Sequence, residues 1–279
     1  MFIFEDSVYD RVGNRTLSNV CVVVGLILGV CTMADAQTAK SEHQELKEVL
    51  DRTVELANSV DSFEASTYLE TTGEPLVVAY RYSELLHRLY FKEKNIPLMV
   101  SLGEAGIRFS LREAGRCSKS DAAQFRHLKG LAKTIAYNLG ANTWPGWDEP
   151  GIEIDAFVLQ AGYHAASLNR RLAKELNRGE EVLANAEWLV GAHQLASKAY
   201  ASAEVSFQNT ANLFRQVNKL DAALMAEGYV AITHILGPNE NSTGIQDWAE
   251  VKKKLSEVDS DDARFYIEQI EIALQVFGE

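Results

Sequence analysis

Cysteine is scarce in this chain: Cys21, Cys31 and Cys117 are all it has. Removal of an N-terminal segment, argued below, leaves Cys117 alone. That excludes an intramolecular disulfide, so a core of about 240 residues has to hold the mature fold by itself. Strand-type sequence is missing too. From Ser41 onward no run of alternating or β-branched residues argues for a sheet, which leaves an all-α fold. Positive charge is in deficit, with 27 Lys and Arg against 39 Asp and Glu and a formal net charge of −12. Nucleic acid, which needs a basic stripe to release counterions, is thereby set aside as a partner. The single basic cluster, Lys252 to Lys254, shares a helix with Ile245, Trp248 and Leu255 on its other face and reads as a solvated surface.

The common catalytic signatures are absent as well. There is no G-x-S-x-G elbow, no Walker loop, no H-E-x-x-H and no glycine-rich dinucleotide loop. His43, His87, His127, His164, His193 and His234 fall one to a helix with no i, i+4 pair, so no metal or cofactor site is written in local spacing. Cys117 follows Ala-Gly-Arg at a helix end, has no histidine beside it in sequence, and reads as an inert thiol. A non-enzymatic chain is the expectation.

What is present begins with an address. Arg11 and Arg15, the apolar run from Val20 to Val30, and the small-x-small site Ala34 to Ala36 follow one another in the order of a secretory signal. Residues 1–36 are therefore expected to be a signal peptide cleaved after Ala36, and 37–279 a single periplasmic or secreted domain. The apolar run is shorter than the roughly 20 residues that span a bilayer, so an uncleaved N-terminal membrane anchor is the alternative. Glu5, Asp6 and Asp10 put negative charge where such signals are basic, which fits a later start codon.

Helical periodicity then accounts for about ten helices: 41–69, 75–93, 96–115, 120–140, 151–177, 180–199, 201–218, 220–236, 244–258 and 260–277. Ser41 with Gln44, and Thr243 with Gln246, form capping boxes. Ser260 followed by Asp261 and Asp262 opens the last helix. Asn95 before Pro97, Gly140, Gly179 and the turn from Gly237 to Asn239 supply the stops. Apolar stripes such as Leu128, Leu131, Ile135 and Leu139, or Phe157, Ala161, Leu168, Leu172 and Leu176, give each helix one face to bury. Connections of a few residues then force neighbouring helices to lie antiparallel, as a string of hairpins.

Two hairpins share a pattern. Gly191, Tyr200, Ala203 and Phe207 resemble the tetratricopeptide repeat, with a small residue on the first helix, an aromatic after the turn and Ala-x-x-x-Phe on the second. Ala105 and Phe109 repeat the last element. Gly162 to Ala165 and Gly228 to Ala231 are a further internal echo. The resemblance covers about two units. Glycines 130, 162 and 191 fall on consecutive helices rather than alternate ones, and the helix at 151–177 is long for the repeat. What the resemblance implies is a short tetratricopeptide-like α-solenoid whose concave face binds a protein or peptide partner.

One segment stands out between long helices. Residues 142–154, NTWPGWDEPGIEI, hold two of the four tryptophans, two of the five prolines, Asp148, Glu149 and Glu153, with Asp155 following. Pro145-Gly146 fits the centre of a type II turn, which brings Trp144 and Trp147 close together. If the indoles point outward, they form a platform for a glycan or a partner side chain, with Asp148, Glu149, Glu153 and Asp155 as polar partners. If they point inward, they plug the gap between flanking helices, and the acids serve the first turn of the next one. Trp188 and Trp248 occupy helix faces and are expected in the core.

Overall fold

A computed structural model describes residues 33–117, 121–238 and 242–278, with side chains from residue 41. Among the described residues there are eleven α-helices and no strand. They are α1 (Met33–Ser59), α2 (Ser62–Glu70), α3 (Pro75–Phe91), α4 (Ile96–Cys117), α5 (Ala122–Asn142), α6 (Ala156–Glu175), α7 (Glu180–Ala196), α8 (Tyr200–Gln216), α9 (Leu220–Leu236), α10 (Ser242–Val258) and α11 (Asp261–Gly278). A single 3-10 turn, Pro145–Trp147, interrupts the link between α5 and α6. The arginines and apolar run of the expected signal lie outside the described residues. None of the described helices is long and apolar enough to cross a membrane.

Local chemistry explains where helices begin, and it corrects several expectations. The stretch 41–69 is two helices, because the Asp61 carboxylate accepts the amide of Glu64 at 2.8 Å and starts α2 afresh. Ser41 and Gln44 lie inside α1 and cap nothing. Gln44 instead donates to Glu48 one turn on. Helix α10 opens at Ser242, which puts Thr243 within its first turn. Helix α6 starts at Ala156 rather than near Gly151, with the Asp155 carboxylate accepting the amide of Val158 at 2.8 Å. The expected cap at Ser260 is present, accepting from Ala263 at 3.0 Å.

Gly237 ends α9 as expected, but other helix stops differ from expectation. Gly140 lies within α5, and Gly179 is the residue before α7 in extended conformation. Lys94 and Asp259 are left-handed after α3 and α10, and after α6, α7 and α8 the left-handed positions are Asn177, Lys198 and Asn218, at φ of 51°, 59° and 58°. Each of these last three is followed by the same pair of backbone bonds, such as Asn177 to Lys174 and Arg178 to Ala173, which satisfies the last carbonyls of the helix in a Schellman turn. This three-residue punctuation makes α7, α8 and α9 equal in length at 17 residues. Helix α7 opens at Glu180 and α9 at Leu220, a spacing of 40 residues, where a tetratricopeptide pair takes about 34.

Every helix packs on the next in sequence, and α3 also reaches α5, as α9 reaches α11. Two apolar clusters result. One runs from Leu46 to Leu168 and the other from Tyr137 to Phe277, and they meet on α5 and α6. Leu128, Ile135 and Leu139 of α5 face the first cluster, whereas Tyr137 and Ala141 face the second. Helices α7 and α9 are buried around most of their circumference, which their nearly unbroken apolar sequence permits. Two residues assigned to inward stripes face solvent instead: Phe157 is 73% exposed and Ile245 66%. Trp188 and Trp248 are buried as expected.

Close helix contact depends on missing side chains. A Cβ at Gly191 would lie 2.8 Å from the Phe207 ring, so glycine on α7 is what lets the α8 aromatic seat fully. Gly162 on α6 is tighter still, since its Cβ would meet Thr143 Oγ1 at 2.0 Å and His193 Cε1 at 2.5 Å. Gly162→Ala is therefore expected to lower the urea-unfolding free energy by about 1–3 kcal/mol through overpacking. Gly115→Ala, with no atom within 4 Å of the new Cβ, is expected to raise it by up to about 1 kcal/mol through helix propensity. Equal effects at the two positions would contradict the packing argument.

Candidate functional site

Two surfaces combine shape with chemistry, and the tryptophan loop is the first. Trp144 precedes proline and is extended (φ −90°, ψ 120°), as that position requires. Pro145 then opens a 3-10 turn instead of the expected type II turn, closed by the Asp148 amide on the Pro145 carbonyl at 3.1 Å. The positive φ angles fall later, at Asp148 (49°) and Gly151 (80°). Gly146 is needed for space rather than for its backbone conformation: a Cβ there would lie 2.3 Å from Trp144 Cζ2, because the indole folds directly beneath the turn.

Trp144 points inward and is 1% exposed. Its indole N–H donates to the Ala192 carbonyl of α7 at 2.9 Å. Its ring meets Trp147 edge-on at a centroid distance of 4.6 Å, Trp188 at 5.4 Å, Tyr229 at 6.2 Å and Phe277 at 5.9 Å. The loop after α5 is thus joined to α7, α9 and the end of α11 through one side chain. Trp147 is half-buried, with its N–H donating to the Ala141 carbonyl at 2.7 Å. Asp148, Glu153 and Asp155 are exposed, and Glu149 is half-buried and ion-paired with Lys94 at 2.8 Å. Asp155 caps α6, so the acids do not form one constellation around two free indoles. Trp147, Asp148 and Glu149 line a crevice of about 190 Å³ together with Tyr90 of α3 and Val276 of α11. Sequence reading missed Tyr90, Lys94 and Val276, since they lie more than forty residues from the loop and carry no local motif.

Behind the loop sits His193, fully buried on α7, with Nε2 at 2.8 Å from the Gly140 carbonyl. Facing a carbonyl, that nitrogen must carry the proton and donate. Burial pushes the imidazole down to about 4, against a smaller opposing effect of the Gly140 hydrogen bond. The other histidines are individual: His164 pairs with Gln160 at 2.8 Å, and His234 lies 3.3 Å from Glu204. Among the described residues, no group of three or more His, Cys, Asp or Glu is placed to hold a metal ion. Cys117 is half-buried, its sulfur 3.4 Å from the Ala114 carbonyl.

The second surface is a groove of about 470 Å³ between α2 and α4, lined by Phe63, Ser66, Thr67, Glu70, Ala105, Arg108 and Arg112. Phe63 lines it and is 75% exposed. Arg112 is held over the Phe109 ring at 5.1 Å and bonded to Glu70 at 2.7 Å. Arg108 reaches only Glu104, at 3.4 Å, and both are exposed. The Ser62 and Ser101 hydroxyls, 2.8 Å apart, fix the start of α2 against α4. Reading 41–69 as one helix hid this groove, because a continuous helix turns Phe63 into one more stripe residue. No protein-family model matches the chain, and comparison with curated proteins and with solved structures gives no match either.

His193 gives the site a pH signature. Its pKa in the folded state lies below the unfolded value of 6.5, so the unfolded chain takes up the proton first as pH falls. The stability it contributes is present above pH 6.5 and is lost as pH drops toward about 4, by about 3 kcal/mol at full protonation. His193→Gln, which retains a donor for Gly140, is expected to remove this component. Urea unfolding at pH 7, 5.5 and 4.5 measures it as the difference between the variant and the parent.

Proposed function

We propose that this chain is an exported helical scaffold of the cell envelope, a short α-solenoid of tetratricopeptide-like hairpins that binds a protein or peptide partner without catalysing a reaction. The three-residue links between α7, α8 and α9 support the repeat reading, as does the seating of Phe207 against Gly191. Export rests on the ordered arginines, apolar run and Ala34–Ala36 site.

One observation carries the binding role: the groove between α2 and α4, with an exposed Phe63 at its edge. Its lining holds Arg112, which is ion-paired with Glu70 and Glu113, and Arg108, which is exposed and in contact with Glu104 at 3.4 Å. The partner that fits is a segment with an apolar side chain for Phe63 and Ala105 and an acidic group for the exposed Arg108. The glycan alternative at the tryptophan loop loses Trp144 to the core and rests on Trp147 alone.

A photo-crosslinking phenylalanine analogue at position 63 tests the reading in cells. The expected result is a discrete adduct whose yield falls about tenfold with Arg108→Glu, through like-charge repulsion of the acidic partner. The same analogue at Phe157, equally exposed but away from the groove, serves as the control. Identical adducts at both positions, or no response to Arg108→Glu, would refute the proposal.

A further inference from the structure

The crevice at the tryptophan loop has a chemistry distinct from the α2–α4 groove and independent of it. Its walls are aromatic and aliphatic: Tyr90, Trp147, Pro145, Ile154 and Val276, with Trp144 as the floor. Its polar edge is purely anionic, made by Asp148 and Glu149. The loop already coordinates one ammonium of its own, for Lys94 Nζ donates to Glu149 Oε1 at 2.8 Å and also to the Pro150 carbonyl. Asp148 stays exposed beside it. We propose that this crevice binds the head group of an alkylammonium cation, its positive charge against the Trp147 and Tyr90 rings and the Asp148 carboxylate.

Four physical arguments converge. Aromatic faces attract cations through their quadrupole, most strongly for weakly hydrated alkylated ammonium groups. The charged side chains of the lining, Asp148 and Glu149, are both acidic, and burial first and then the Glu149 charge raise the pKa of the Tyr90 phenol and keep it neutral, so an anion is repelled where a cation is drawn in. Size discriminates too. A volume of about 190 Å³ is below the roughly 300–1,000 Å³ of pockets that enclose drug-sized ligands, which suits one head group and excludes an enclosed oligosaccharide. Finally, the walls are preorganised, since both indole N–H groups are tied to backbone carbonyls and the two rings pack edge to face.

Choline and its uncharged isostere 3,3-dimethyl-1-butanol, titrated against the full chain with tryptophan fluorescence and calorimetry as readouts, separate charge from shape. A lysine side chain presented as N-acetyl-lysine methylamide distinguishes a partner residue from a free head group as the source of the cation. The expected result is saturable binding of choline or of the lysine derivative with Kd of order millimolar, at least about tenfold tighter than the isostere. Asp148→Asn, at an exposed residue, is expected to weaken binding several-fold without loss of fold. Lys94→Asn removes the competing internal ammonium while tolerating the left-handed backbone at that position, and is expected to tighten it. A purely structural Lys94 would do the opposite. Equal affinity for choline and the isostere, binding of neither cation, or weaker binding in Lys94→Asn would overturn the proposal.

Discussion

The architecture hangs on the burial of one indole. Trp144 leaves the end of α5, hydrogen-bonds to α7 and touches rings on α9 and α11, so residues more than 130 positions apart share a single contact surface. Burying a tryptophan removes some 150–250 Å² from water, worth roughly 5 kcal/mol before entropy is charged against it. A short loop without that side chain would have little with which to hold α11 against the middle of the chain. The companion features follow from this need. Gly146 has no Cβ because the indole occupies that space, and Trp147 covers the edge that Trp144 leaves open. Gly162 lets His193 and Thr143 approach behind the same loop.

With Trp144 turned inward, the loop residues separate by structural role. The same residues that look like a recognition platform in sequence divide by role: Trp144 is core, Asp155 is a helix cap, Glu149 is half-satisfied by Lys94, and Trp147 with Asp148 face a small crevice. The larger surface chemistry lies near the other end of the chain, at Phe63, Arg108 and Arg112. The two surfaces differ in chemistry, one built from an exposed phenylalanine and ion-paired arginines and the other from aromatic side chains and carboxylates. The buried His193, its pKa lowered by desolvation, makes the junction behind the loop sensitive to acid.

Much of the fold was legible because helix chemistry is local. Periodicity located α9 to the residue and the other helix cores closely, since apolar stripes and short polar links need no tertiary information. Boundaries went astray where capping depends on one side chain, as at Asp61, or where asparagine and lysine rather than glycine take the left-handed turn, as at Asn177, Lys198 and Asn218. The Trp144 plug was one of two readings of a conspicuous loop, and the partners that decide between them, Ala192, Tyr229 and Phe277, are distant in sequence. The α2–α4 groove was invisible because it exists only once α1 and α2 are separated.

The most direct measurement is hydrogen exchange of α11 in the Trp144→Phe variant, compared with the parent under native conditions. The replacement keeps a ring but removes the bond to Ala192 and part of the contact with Phe277. The account predicts that amides of residues 261–278 lose protection together with those at the end of α5, as a coupled opening about 1–3 kcal/mol easier than in the parent. Unchanged protection in α11, with any loss confined to the loop itself, would show that the indole merely fills space and does not tie the two parts of the chain together.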